Sequence, residues 1–277
     1  MQNIEDCTIA IYVIVDDILK NLGHKEHKLR QVNDSMILTT AMIASLYFGS
    51  NYSKAIGYMK AHHCKEMLSE SRFNRRLTSA ESLLEHLFFV LAEVYKSQNP
   101  LDIYLLDTFP VSVCHNIRIG RCRLLKGEQF RGKNTSKRVY FYGFKVAMII
   151  TETGWPVEFS LIPASFAEQS ALKGLQFNLP SGSRVIGDAG FKDYTFEDNL
   201  AHYDQIQLLA CRNKGSLRVD NLVVKTMKEV SRKFVETTFS LITKLFPKSI
   251  HAVTIKGFAM KIALFNIAFS MHQFFCN

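Results

Sequence analysis

Three acidic residues stand where a carboxylate is hardest to explain as ordinary surface. Asp107 interrupts the otherwise apolar run Ile103-Tyr104-Leu105-Leu106-Asp107-Thr108-Phe109. An unpaired charge in a central strand is costly unless a bound cation, a basic partner or an open cleft relieves it. Asp188 follows Arg184-Val185-Ile186 and is flanked by Gly187 and Gly190, residues that keep the backbone uncluttered where a strand gives way to a loop. Glu236 lies in a helical stretch beside Val235 and Phe239, close enough to an apolar face for its side chain to point back toward a sheet. Three oxygen donors of this kind suit Mg²⁺ or Mn²⁺, which prefer carboxylates and keep water positions open for a phosphate. Two ions are expected, since a pair supplies nucleophile activation and leaving-oxygen stabilisation at a phosphodiester. Spacing alone does not select this triplet, because 25 acidic residues offer many ordered triplets, and turn or cap roles also account for acids.

The elements that must position these residues change character along the chain. All six prolines lie from Pro100 onward, so residues 1–99 read as helical. Met36 to Phe48 is mostly apolar, Gly49-Ser50-Asn51 supplies a turn, and Tyr52 to Lys60 resumes helical periodicity, the outline of a helix-turn-helix or of an interaction bundle. Glu81 to Tyr95 reads as another amphipathic helix. The polar stretch Lys96 to Pro100 places a domain boundary there, with an N-terminal helical DNA-binding or interaction domain over 1–99 and a catalytic domain over 100–277.

Beyond the boundary, strands are expected at Ile103 to Phe109, Val139 to Ile150 and Val157 to Ile162. A helix over Glu168 to Gln176, a strand at Ser183 to Ile186, a helix over Asp193 to Tyr203, a strand at Ile206 to Cys211 and a long helix over Val224 to Leu245 follow. The order β, β, β, α, β, α, β, α is that of an α/β, RNase H-like core, a mixed five-stranded sheet flanked by helices.

The formal charge of +9 and pI of about 9.2 favour a polyanionic partner. The cations concentrate in one segment, where Arg118, Arg121, Arg123, Lys126, Arg131, Lys133, Lys137, Arg138 and Lys145 are opposed only by Glu128. As a loop between the first two strands it is expected near the Asp107 strand end, tracking phosphates together with His115. Arg72, Arg75 and Arg76 form a second basic cluster. No stretch has the length and apolarity of a membrane span, and the N-terminus lacks a basic leader, so a cytoplasmic, nucleoid-associated protein is expected. The six scattered cysteines contain no CxxC pair, and reduced thiols are expected.

The segments around the three acids resemble those of DDE transposases of bacterial insertion sequences. The resemblance covers most of the chain after residue 100. It rests on Leu106-Asp107-Thr108, Val113-Cys114-His115-Asn116, Arg118-Ile119, Lys126-Gly127, Arg131-Gly132-Lys133, Phe141-Tyr142-Gly143-Phe144-Lys145, Gly187-Asp188-Ala189-Gly190-Phe191 and Glu236-Thr237. It implies that Asp107, Asp188 and Glu236 are catalytic and hold the metal. It further implies cleavage and strand transfer of double-stranded DNA at terminal inverted repeats and target sites, by at least a homodimer on DNA. Arg232 fits the arginine found four residues before the family's glutamate. The family's lysine position holds Thr243, and Lys244 follows one residue later, about 100° further around a helix. A nuclease of the same fold without strand transfer, and a non-catalytic DNA-binding derivative of a transposase, are the alternative readings.

Overall fold

A computed structural model describes residues 3–134, 138–220, 222–247, 250 and 252–275, with the backbone alone for residues 232, 233, 274 and 275. The helices of the first half are α1 (Ile4–Asn21), α2 (Asp34–Tyr47), α3 (Tyr52–His62), α4 (Glu70–Ser79) and α5 (Glu81–Ser97). They are followed by β1 (Ile103–Cys114), β2 (Arg131–Asn134), β3 (Val139–Thr151), β4 (Pro156–Pro163), α6 (Gln169–Leu172), β5 (Arg184–Gly187), α7 (Tyr194–Asn199), β6 (Gln207–Ala210), α8 (Leu222–Leu245) and α9 (Ile255–Phe275). No helix among the described residues is long and apolar enough to cross a membrane. None of the five described cysteines is in a disulfide.

The chain divides into two compact units, and the division departs from the boundary expected at residues 99 and 100. One unit holds Met1–Val90, Lys244–Pro247 and Val253–Asn277; the other holds Leu91–Thr243 and Lys248–Ala252. The C-terminal helix therefore folds with the N-terminal helices. Its physical reason is α2, in which Ile37, Leu38, Ala41, Met42, Ile43 and Ala44 are all fully buried. A helix that is apolar on every side needs neighbours on every side, and α1, α3, α4 and α9 supply them. α9 contributes Phe258, Ile262, Leu264, Phe265 and Ala268, all without exposure. Asn33 and Asn51 cap α2 and α3 by accepting from the backbone N–H of Met36 at 2.8 Å and Lys54 at 3.0 Å. Gly49 and Ser50 make the turn between them with positive φ.

One buried carboxylate ties this unit together. Asp34 accepts from Arg30 and Arg76 at 2.5 Å each and meets His24 at 3.0 Å. His24, Glu26 and Asp34 come close enough to hold a metal, but the two guanidinium groups already neutralise the acids. Arg76, expected in a basic surface cluster, is thus committed to the interior, while Arg72 and Arg75 are exposed.

In the second unit the strand order is β2-β3-β1-β5-β6, with β4 also paired to β3. β1, β3 and β4 run antiparallel, and β5 and β6 run parallel to β1 and to each other. Helices α6, α7 and α8 complete an RNase H-like core. β2 is a sixth strand within the segment expected to be a loop: it pairs with the start of β3, Arg131 opposite Tyr142 and Asn134 opposite Val139. β4 takes the rest of the same edge of β3. Two anchors set the position of α8. Lys228, nearly fully buried, donates to the Ala210 carbonyl at the end of β6 at 2.8 Å and pairs with Asp220 at 2.7 Å. Farther along, Phe239 meets Phe109 of β1 edge to face, 5.4 Å between ring centres.

Removing the shared acid of the helical unit leaves two guanidinium groups without their partner. Asp34→Ala is expected to cost about 3–5 kcal/mol in urea unfolding at pH 7. Burial raises the Asp34 pKa, but Arg76, His24 and Arg30 outweigh it and hold the group below its ordinary value of 3.8. Its contribution is therefore complete above pH 3.8 and is lost as the pH falls through the depressed value. The gap between wild type and variant should close in that acid range.

Candidate active site

The acidic cleft arises from a mismatch in strand length. β5 pairs with β1 only from Ile103 opposite Arg184 to Leu106 opposite Gly187, whereas β1 continues beside β3 to Cys114. Asp107 is the first β1 residue past the end of β5, so its edge toward β5 opens into a gap. Asp188 lies at that gap, where the chain leaves the sheet and enters the turn Ala189–Phe191. Phe191 is fully buried and packs so closely on Gly187 that a Cβ there would come within 3.3 Å of its ring. Residues alternate faces along a strand, so Asp107 shares a face with Phe109, and the Phe109–Phe239 contact lays α8 over that face. Val235 of α8 is buried and the adjacent Glu236 is exposed. Asp107, Asp188 and Glu236 thus line one narrow cleft of about 60 Å³, walled by Leu106, Ile186 and Val235.

The electrostatics of this cleft are the reverse of those around Asp34. Burial pushes the Asp107 carboxyl up to about 7; a hydrogen bond from the Thr108 N–H opposes the shift, and the charges of Glu168, Asp188 and Glu236 add to it. Among the described residues no lysine or arginine forms an ion pair with Asp107 or Asp188. One oxygen of each is engaged by a neighbouring backbone N–H, from Thr108 and from Ala189, both at 2.6 Å. The other oxygen has no hydrogen-bond donor among the described residues. Two carboxylates, Asp107 and Asp188, each with one uncommitted oxygen and no cationic partner among the described residues, fit a hard divalent cation.

The basic residues are placed differently from their sequence expectation. His115, Arg118, Arg121, Arg123, Lys126, Arg131, Lys133 and Arg138 are exposed, but β1 does not end near Asp107. It runs on for seven more residues, so His115 begins the segment roughly 25 Å along the strand from Asp107 at about 3.3 Å per residue. Arg131 pairs with Glu128 at 2.8 Å, and Lys133 lies over the Tyr140 ring. Lys145 donates to the Phe166 carbonyl at 2.9 Å. It stands opposite Pro110, on the face away from Asp107. Lys244 is exposed in the last turn of α8. Lys137 and the side chain of Arg232 lie outside the described residues.

One acid behind this cleft, near Asp107 but outside its lining, has no signal in the sequence. Glu168 immediately precedes the four-residue helix α6 and accepts from the Thr108 hydroxyl at 2.9 Å. It looked like the start of a helix, and only tertiary pairing brings it sixty residues back to β1.

These features define a protein built on an RNase H-like sheet with an acidic cleft at the end of a parallel strand pair. A family model described as Transposase DDE domain matches residues 97–250, more than half of the chain, and the chain belongs to that family. Among solved structures, it is similar to a chain of the piggyBac transposase synaptic complex with hairpin DNA, determined by cryo-EM. That similarity has 10% sequence identity and a TM-score of 0.44, and covers 98% of this chain and 74% of the other. No curated protein matches the sequence.

Between pH 3.8, the ordinary value, and about 7, folded Asp107 keeps a proton that the unfolded chain has released. Stability therefore falls as pH rises through this window. In chelator-treated protein, Asp107→Asn should be more stable than wild type at pH 8, by up to about 4 kcal/mol, and no more stable near pH 4. Calorimetric melting at the two pH values checks this; a variant less stable than wild type at pH 8 contradicts it.

Proposed function

We propose that the chain is the transposase of a bacterial insertion sequence, with Asp107, Asp188 and Glu236 as its catalytic carboxylates and as the ligands of two Mg²⁺ or Mn²⁺ ions. The observation that carries this reading is the convergence of the three acids, from β1, the end of β5 and α8, on one cleft without a basic partner for Asp107 or Asp188 among the described residues. Bound there, the ions supply activation of a water or 3′-hydroxyl and neutralisation of the leaving oxygen. The chain's own residues prepare the site. The Thr108 and Ala189 N–H groups fix Asp107 and Asp188 with one oxygen of each still available. Asp107 gives up its proton as positive charge arrives. Leu106, Ile186 and Val235 form apolar walls to the cleft.

The DNA strand is held by phosphate contacts from His115, Arg118, Arg121, Arg123, Lys126, Arg131, Lys133, Lys137, Arg138 and Lys145, with Arg232 and Lys244 on α8. The distance of His115 from Asp107 supports a role for the segment beginning there along the duplex flanking the reacting phosphodiester. Exposed Lys54 and Lys60 on α3 and Arg72 and Arg75 on α4 suit the helical unit to terminal-repeat binding. Two copies of the chain bring two element ends together.

A DNA fragment carrying the element's inverted repeat tests the assignment. Asp107→Asn, Asp188→Asn and Glu236→Gln should each lower Mg²⁺-dependent cleavage by roughly a thousandfold or more while binding the fragment within about threefold of wild type. Full cleavage by any one removes that residue from the site. Cut products without joined products from wild type would favour a nuclease; binding with neither would favour a non-catalytic derivative. Replacing Arg118, Arg121 and Arg123 by alanine should flatten the dependence of log affinity on log salt by about 2.7, at roughly 0.9 per phosphate contact. An unchanged slope removes these arginines from the interface.

A further inference from the structure

Glu168 reaches the acidic gap from the face opposite α8. Thr108 follows Asp107 and therefore points to the other side of the sheet, where its hydroxyl donates to Glu168 Oε1 at 2.9 Å. The second oxygen, Oε2, occupies the space that a Cβ on Gly190 would fill, two residues past Asp188. One carboxylate thus touches the neighbours of both strand-derived acids. The adjoining Gln169 donates to the Lys192 carbonyl, which fixes the start of α6 against the turn that carries Asp188. No lysine or arginine among the described residues pairs with Glu168.

A tether between β1 and this turn needs only a hydrogen-bond acceptor, and a glutamine would serve. A carboxylate instead adds a negative charge behind a cleft whose lining already holds three, close enough for its charge to act on Asp107. We propose that Glu168 is the fourth carboxylate of the cation site: its charge strengthens divalent-cation binding in the cleft, and Thr108 and the bare Gly190 hold it in place. This inference rests on the reading of the cleft as a divalent-cation site.

The test is Mn²⁺ binding to the full chain, followed by titration calorimetry without DNA, in wild type, Glu168→Gln, Gly190→Ala and Asp107→Asn. Glu168→Gln keeps the acceptor for Thr108 and removes the charge, so it should weaken Mn²⁺ binding by roughly tenfold to a hundredfold without lowering the melting temperature of the metal-free protein. Gly190→Ala places a methyl group on the Glu168 carboxylate and should weaken binding similarly. The double variant should be no weaker than the weaker single one. Affinity within twofold of wild type in Glu168→Gln, with weakened binding in Asp107→Asn, overturns the role of Glu168 and leaves the cation site standing. Unchanged binding in both variants overturns both. If Glu168→Gln melts early, Glu168→Asp decides: recovery of Mn²⁺ affinity supports the charge, and equal weakness overturns it.

Discussion

A carboxylate in the middle of an apolar strand is the constraint around which the second unit is organised. Asp107 gains little from the protein: one backbone N–H at 2.6 Å, set against burial and three negative neighbours that push its pKa to about 7. Asp34 shows how the same chain treats an acid whose task is structural, with two arginines and a histidine gathered around it. The two environments differ in sign. One is electrostatically complete; the other is tolerable at neutral pH only through protonation or by receiving positive charge.

The sheet creates that environment by stopping one strand early. Had β5 continued past Gly187, it would have paired with β1 at Asp107 and closed the gap. Instead, Phe191 turns into the core against Gly187, and the chain leaves the sheet with Asp188 at its corner. The opposite wall depends on α8, anchored by Lys228 on the β6 carbonyl and by Phe239 on Phe109. Glu236 occupies the cleft because these contacts fix the helix's position and rotation. The acids are thus positioned by separate elements, β1, the turn after β5 and α8, whose apolar packing and ion pairs lie elsewhere.

Much of this was legible in the amino-acid order, for reasons that differ by residue. Asp107 stood out as a charge within an apolar run, and Asp188 as an acid among glycines at a strand end, both local signals. Glu236 was weaker, since a helix carries many acids and the contact that aims this one, Phe239 on Phe109, is long-range. Glu168 gives no signal, because a glutamate at the start of the helix expected over Glu168 to Gln176, of which the structure forms Gln169–Leu172, looks like any other polar start. The first strand, expected to end at Phe109, continues to Cys114, and the shorter reading puts the basic segment too close to Asp107. The basic run also concealed β2, whose residues gain their extended form by pairing with β3. The C-terminal helix is apolar enough to need packing partners, but its sequence does not say which; its partner, α2, lies more than two hundred residues earlier.

The central claim is that the cleft between β1, β5 and α8 receives divalent cations. Anomalous diffraction from crystals of the protein grown with Mn²⁺ tests it most directly. Peaks about 2.0–2.2 Å from carboxylate oxygens of Asp107 and Asp188, with Glu236 in the same coordination shell or one water away, are the predicted result. Mn²⁺ bound at His24, Glu26 and Asp34, with nothing at Asp107 under saturating metal, would contradict the account.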